Sequence, residues 1–340
     1  MSYSNINKSS DFFNTVLYNG NGGTQSITGV GFQPDWLWIK RRDASGGHNL
    51  YDVVRGNTKR LESHSTGAEA TTSDISSFDS DGFTVNTTGV NTSSATYASW
   101  NWKANGAGST NYDGSITSTV SANTTAGFSI VKYAGNNTAG ATVGHGLGAV
   151  PKMIIFKELG GTNGWHVYHH SIGNNAVQVL DQNASNYSPN NFLNSTNPTS
   201  SIFTLGQNGG SNGTAGMIAY CFAEKQGYSK FGSYTGNGNA NGTFIYTGFK
   251  PAWVMFKRTS STAPWNIFDN KRAEFNVVQK GLLANSSNAE FTGTNRCDFL
   301  SNGIKLRGSA VAPNVSGESY IFMAFGQSLV GSNNVPCTAR

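Results

Sequence analysis

Charge is scarce in this sequence. Asp, Glu, Lys and Arg together make up 12% of the 340 residues, so ion pairs cannot cover the surface and hydroxyl and amide side chains must. The Ala, Leu, Glu and Lys that fill helix surfaces are thin, whereas Ser, Thr, Asn and 42 glycines suit turns and strands, which favours sheets. The three cysteines, Cys221, Cys297 and Cys337, stand far apart with no CxxC pair. That spacing argues against a zinc site and a disulfide framework, and leaves them as small buried or tail residues. No run approaches the roughly 18 apolar residues of a membrane span, and the start MSYSNINKSSDFF lacks a basic region followed by an apolar one. A soluble chain made in the cytosol, with no membrane insertion, is the expectation. The net charge of +5 comes without a dense basic run, which argues against nucleic acid as a partner.

What the sequence does have is recurrence. It reads GFQPDWLWIK at 31–40, GAVPKMIIFK at 148–157 and GFKPAWVMFK at 248–257. Upstream of the prolines Pro34, Pro151 and Pro251 lie Tyr18 in YNGNGG, Tyr133 in YAGNNTAG and Tyr234 in YTGNGNANG, at separations of 16, 18 and 17. Fourteen residues past each proline stand His48, Trp165 and Trp265, and seventeen past stand Tyr51, Tyr168 and Phe268. Aromatic-rich strands close the pattern: YASWNWKA, MIAYCFAE and YIFMAFGQ, in which Trp100 and Trp102 correspond to Tyr220 and Phe222 and to Met323 and Phe325. Three landmarks in one order, three times, indicate an internal repeat.

The expected fold is all-β, with three tandem β-sandwich or jelly-roll-like units at 12–104, 127–226 and 227–328. An N-terminal extension covers 1–11, a linker or short extra hairpin 105–126, and a C-terminal tail 329–340. In PDWLWIK, strand alternation puts Trp36 and Trp38 on one face and Leu37 and Ile39 on the other, so both faces need cover. One face fills its own sandwich. The other meets a helix, a long loop, a neighbouring unit or another chain.

Candidates for chemistry are few. Asp52 and Asp269, eighteen past their prolines, each precede an arginine by three residues, Arg55 and Arg272, while the second unit has His169 and Ile172 there. A structural ion pair tying a loop to its sandwich is the simpler reading; the other is a pair of glycosidase carboxylates, which needs two such groups across a cleft. His48, Tyr51, Trp165, Tyr168 and Trp265 are the candidate aromatic platform for a sugar, set against the reading of Trp165 and Trp265 as core. In WHVYHH, His166, Tyr168 and His170 share a strand face that reads as a solvent-facing edge, or as a transition-metal site if a carboxylate joins it. His145 reads as a turn or loop residue, and DSDG at 79–82 as a turn rather than a calcium loop. The glycine and asparagine stretches after each tyrosine read as hairpin turns, not phosphate loops, since no GK[ST] follows. No cofactor or metal is expected.

The stretch FSIVKYAGNNTAG followed by TVGHGLGAVPKMIIFK resembles a repeat domain of uncharacterised function found in tail-fibre-like and other structural proteins of bacteriophages, especially marine ones. All three units fit. The first departs from the pattern by His48 in the Trp position, and the third lacks the HGLG glycines. The resemblance implies a non-enzymatic virion component on a tail fibre, appendage or capsid surface, and carries over no catalytic residue. Its implied partners are other virion proteins. The expected mode is assembly through apolar sheet faces into a homo-oligomer, a trimer by symmetry, with polar loops displayed. A carbohydrate-binding adhesin for host surface glycan is the alternative, and a polysaccharide depolymerase the third reading.

Overall fold

Three antiparallel sheets form the body of the computed structural model, which describes residues 6–86, 88–188, 191–309 and 312–328. The first sheet sets Phe13–Asn19, Thr96–Trp102, Trp36–Arg41, His48–Asp52, Gly56–Leu61 and Ala70–Thr71 side by side in that order. In the second, Ser109–Asn111 and Ser118–Asn123 lead to Phe128–Tyr133, Met217–Phe222, Met153–Glu158, His166–His169 and Gln178–Val179. The third runs Ser229–Thr235, Ser319–Gly326, Pro251–Arg258, Asn266–Asp269 and Leu282–Leu283. The segment expected as a linker or hairpin over 105–126 thus contributes two strands to the second sheet. Residues 1–5 of the N-terminal extension, all of the tail 329–340, and Cys337 with it, lie outside the described residues, whereas Cys221 and Cys297 are buried and unpaired.

Each large sheet carries a smaller one on one face, which makes the architecture sandwich-like and nearly all β. The small sheets are Gln25–Thr28 with Gly82–Val85 and Ile75–Asp79; Thr142–Gly144 with Ile202–Thr204; and Phe244–Tyr246 with Gly303–Leu306 and Cys297–Leu300. DSDG is the tight turn between two of these strands, with Asp81 accepting from the Gly29 and Gly31 amides.

Strand alternation decides which side chain meets which layer. Leu37 and Ile39 pack under the first small sheet against Ile27, Phe83 and Val85; Ile154 and Phe156 pack with Val143 and Phe203; Val254 and Phe256 pack with Ile245 and Ile304. The intervening residues Trp36, Trp38, Met153, Ile155, Trp253 and Met255 all enter one further cluster, shared by the three large sheets. There Trp36 lies 4.4 Å from Trp102 beside it and 4.4 Å from Tyr220 of the second sheet, while Trp102 meets Trp253 of the third edge to face at 5.6 Å. Each such ring removes about 150–250 Å² from water, an upper estimate of roughly 4–6 kcal/mol before entropy is subtracted. The cover for the second face of WLWI is therefore the other two sheets of the same chain. Those apolar faces, expected to join separate chains, are closed inside one.

The first and last described segments meet at the third sheet. Ser9 Oγ donates to the Gln327 carbonyl at 3.1 Å, and Phe13 stacks on Phe325 at 5.0 Å, so the start of the first strand and the turn before it dock where the last strand finishes.

The turns after Tyr18, Tyr133 and Tyr234 differ from expectation. They are not hairpins within a sheet, because Phe13–Asn19 belongs to a large sheet and Gln25–Thr28 to a small one, and the other two pairs cross in the same way. A buried asparagine holds each crossing. Asn91 Oδ1 accepts from the Asn21 amide, Asn212 Oδ1 from Asn136 and Asn314 Oδ1 from Asn237, at 2.8 to 3.1 Å. The carbonyl just before each asparagine (Val90, Ser211, Pro313) accepts from the tyrosine hydroxyl. A Cβ on Gly20 would stand 2.1 Å from the Thr92 carbonyl oxygen, and Gly135 and Gly236 face the same obstruction, so close approach fixes these glycines.

Candidate functional site

The nine residues singled out by the sequence lie inside the protein, none more than 7% exposed. His48, Trp165 and Trp265 do not form an exposed platform, because each points into the seam between two large sheets. Trp265 Nε1 of the third sheet donates to the Val179 carbonyl of the second, and Trp165 Nε1 of the second to the Glu62 carbonyl just past the first sheet's strand Gly56–Leu61. His48 Nε2 of the first donates to the Leu283 carbonyl of the third. All three contacts are 2.9 Å long, and together they run third to second to first to third, closing a ring. The His48 tautomer follows from its neighbours: Nδ1 accepts from Trp38 Nε1 at 2.7 Å, so Nε2 carries the proton. Burial, with Lys40 nearby, holds its pKa well below the ordinary histidine value. Tyr51 and Tyr168 face the other way, into their own layer pairs, and Tyr51 donates to Asp74 Oδ2 at 2.7 Å.

A second set of ties starts four residues further on. Asp52 Oδ1 accepts from the Val54 and Arg55 amides, and its Oδ2 accepts from Arg55 Nε at 2.5 Å and from Tyr220 Oη of the second sheet at 2.8 Å. Asp269 Oδ1 accepts from the Lys271 and Arg272 amides, and its Oδ2 from Arg272 Nε at 2.6 Å and from Trp100 Nε1 of the first sheet at 3.0 Å. With four donors on each carboxylate and no exposed side-chain surface, neither has a lone pair free for a substrate. The guanidinium of Arg55 continues to Glu69 and that of Arg272 to Glu290, which also takes a two-pronged contact from Arg42 across the seam.

The second sheet uses a different residue in the same geometry. His169 Nδ1 accepts from the Ser171 amide, as the carboxylates do from the residue two further on, and its Nε2 donates to the Phe322 carbonyl of the third sheet at 3.2 Å. Burial lowers its pKa to about 3, so the ring is neutral. WHVYHH is thus not a solvent-facing edge: the strand His166–His169 is flanked on both sides, His169 is fully buried, and His170 reaches the Phe231 carbonyl. Among the described residues no group of three or more His, Cys, Asp or Glu is placed to hold a metal ion. His145, read as a loop residue, is buried with both ring nitrogens engaged, to the Leu147 amide and the Thr199 carbonyl.

Three buried lysines stand six past the prolines, two of them, Lys40 and Lys257, reaching across a seam, and the sequence reading passed over them. Lys40, Lys157 and Lys257 are buried, and each Nζ meets two backbone carbonyls: Arg41 and Ser287, Glu158 and Gly161, Asn183 and Ala263. Burial lowers their pKa values to about 8, about 8 and about 7. Two carbonyls accept from each amino group. The signal was present in IK and FK at the end of each motif, where a lysine after an apolar run reads as a strand emerging into solvent. The holding asparagines gave no signal, because Asn is too common in this chain to stand out.

No curated protein and no solved structure matches the chain. One family model spans all three layer pairs at once: over residues 8–328 the chain fits, and so belongs to, the family described as a domain of unknown function, DUF7483.

Proposed function

We propose that the chain is one module used three times in tandem, and that it serves as a non-enzymatic structural protein of a bacteriophage virion, on a tail fibre, an appendage or the capsid surface. The recurrent strand order in the three large sheets and the matched placement of the residues fourteen and eighteen past the prolines support the first part. The observation that carries the second is the use made of the reactive side chains: Asp52, Asp269 and the indoles of Trp100, Trp165 and Trp265 are hydrogen-bonded, solvent-excluded ties between sheets. A body joined this way, with few charges on its surface, suits a particle component that must persist without repair. The likeness to phage tail-fibre-like repeat domains is the ground on which that location is proposed. Other virion proteins are its proposed partners, and a homo-oligomer, a trimer by symmetry, must use outer loops, since the apolar sheet faces are closed within the chain.

Labelling intact phage particles with an antibody raised against the folded chain tests this reading. Label on the particle supports it, and a chain confined to the soluble fraction of infected cells overturns it. Incubation with host polysaccharide tests the non-enzymatic part: no reducing ends are expected, and their release, abolished by Asp52→Asn or Asp269→Asn, contradicts it.

A further inference from the structure

We propose that a cleft between the first and third sheets binds an acidic saccharide. The cleft has a volume of about 530 Å³, within the range of small-ligand sites. Leu17 and Arg42 line it from the first sheet's side, and the connection after Asn266–Asp269 forms its other wall. That connection runs over 270–281 before Leu282–Leu283, whereas after His48–Asp52 only 53–55 precede Gly56–Leu61, and after His166–His169 only 170–177 precede Gln178–Val179. The extra length does little for packing: Val278 is buried, while Glu274, Phe275, Gln279 and Lys280 stand in solvent.

Charge selects the ligand's sign. Arg42 and Arg272 both converge on Glu290, but Lys271 and Lys280 make no ion pair among the described residues, and Glu274 is the one carboxylate lining the cleft. Two unpaired ammonium groups at one cleft, in a chain so poor in charge, favour a carboxylate or sulfate. Phe275 selects the ligand's shape. The residue is 68% exposed and its ring makes no ring contact among the described residues, so an aromatic side chain stands open beside the cations. A sugar ring packs its C–H face on such a ring and turns its hydroxyls outward, where the Gln279 amide and the Thr292 hydroxyl line the same cleft. A rigid sugar ring loses little freedom on binding, whereas an acidic peptide must order backbone and side chains in a shallow site. The assignment goes beyond the virion reading and does not depend on it.

Calorimetric titration of the full chain with trigalacturonic acid, neutral galactotriose and a hexaglutamate peptide tests it, repeated with the Lys271→Ala/Lys280→Ala and Phe275→Ala variants. Saturable binding of the acidic trisaccharide is expected, with none of the neutral one. The double lysine variant should weaken binding about tenfold or more, and Phe275→Ala about tenfold. The three side chains are exposed, so the variants should keep the parent's thermal midpoint; Lys271→Gln/Lys280→Gln replaces the double variant if that midpoint shifts. Absence of saturable acidic-sugar binding, indifference to the substitutions, or equal affinity for hexaglutamate would each overturn the proposal.

Discussion

At the position eighteen past the prolines, two of the three seams are tied by a carboxylate and the third by an imidazole. Asp52 faces Tyr220 and Asp269 faces Trp100, whereas His169 lies against the strand that carries Met323 where the others carry a donor. The local partner changes in step: Arg55 and Arg272 follow the two carboxylates, and Ile172 follows His169. A buried carboxylate is tolerated only with a full set of donors and a compensating cation. Where the facing strand offers a thioether, a neutral ring that finds its own carbonyl holds the same position. The position is therefore defined by the seam it closes, with residue type following from what stands opposite.

Substitutions can break this comparison at either kind of seam. Asp269→Ala should have the largest effect, about 3–5 kcal/mol in denaturant unfolding, because it leaves Arg272 charged and buried and strands the Trp100 N–H. His169→Asp should cost about 2–4 kcal/mol, since it buries a carboxylate with neither guanidinium nor facing donor. Adding Ile172→Arg and Met323→Tyr to it should recover part of that loss, with a coupling of about 0.5–3 kcal/mol. Recovery of nothing would mean that the two kinds of seam are not versions of one design. Tyr220→Phe removes one hydrogen bond to a charged group and should cost about 1.5–3 kcal/mol, against less than about 1.5 kcal/mol for Met323→Leu at the matching place.

Protons sharpen the comparison further, with the smallest effect near neutrality. His48 and His169 have folded pKa values below the ordinary one, His169 at about 3, so below pH 6.5 the unfolded chain takes up protons that the folded chain refuses. Their contribution is complete above that value and is lost as pH falls, by about 1.4 kcal/mol per pH unit for each histidine. His169→Gln should reduce the acid slope of stability by that amount, as measured by denaturant unfolding between pH 6.5 and 4.5, while Asp52→Asn should leave the histidine share in place. On the alkaline side Lys40 and Lys157, lowered to about 8, lose protons before the unfolded chain does, so stability should rise from about pH 8 towards 10.

Much of the fold was legible because alternation reports burial. Trp36 and Trp38 had to face something other than what Leu37 and Ile39 face, and the proline-anchored register placed His48, Trp165 and Trp265 in matched surroundings. Alternation does not report the identity of the cover, so a neighbouring unit and a second chain looked equivalent until the shared cluster was seen. The platform reading failed for a related reason: an indole has a stacking face and an N–H whether it meets a sugar or a neighbouring sheet's carbonyl. Asp52 with Arg55 was readable as an ion pair, but Tyr220 Oη, 168 positions away, was not. The cleft residues Lys271, Phe275 and Lys280 were missed because they lie in a stretch without a counterpart in the other two, where recurrence gives no guidance.

Calorimetric unfolding of the intact chain bears most directly on the claim that one aromatic core holds the three layer pairs together. The account predicts a single transition whose calorimetric and van't Hoff enthalpies agree, moved as a whole by Trp36→Ala. Separate transitions, of which Trp36→Ala shifts one and leaves the others in place, would contradict it.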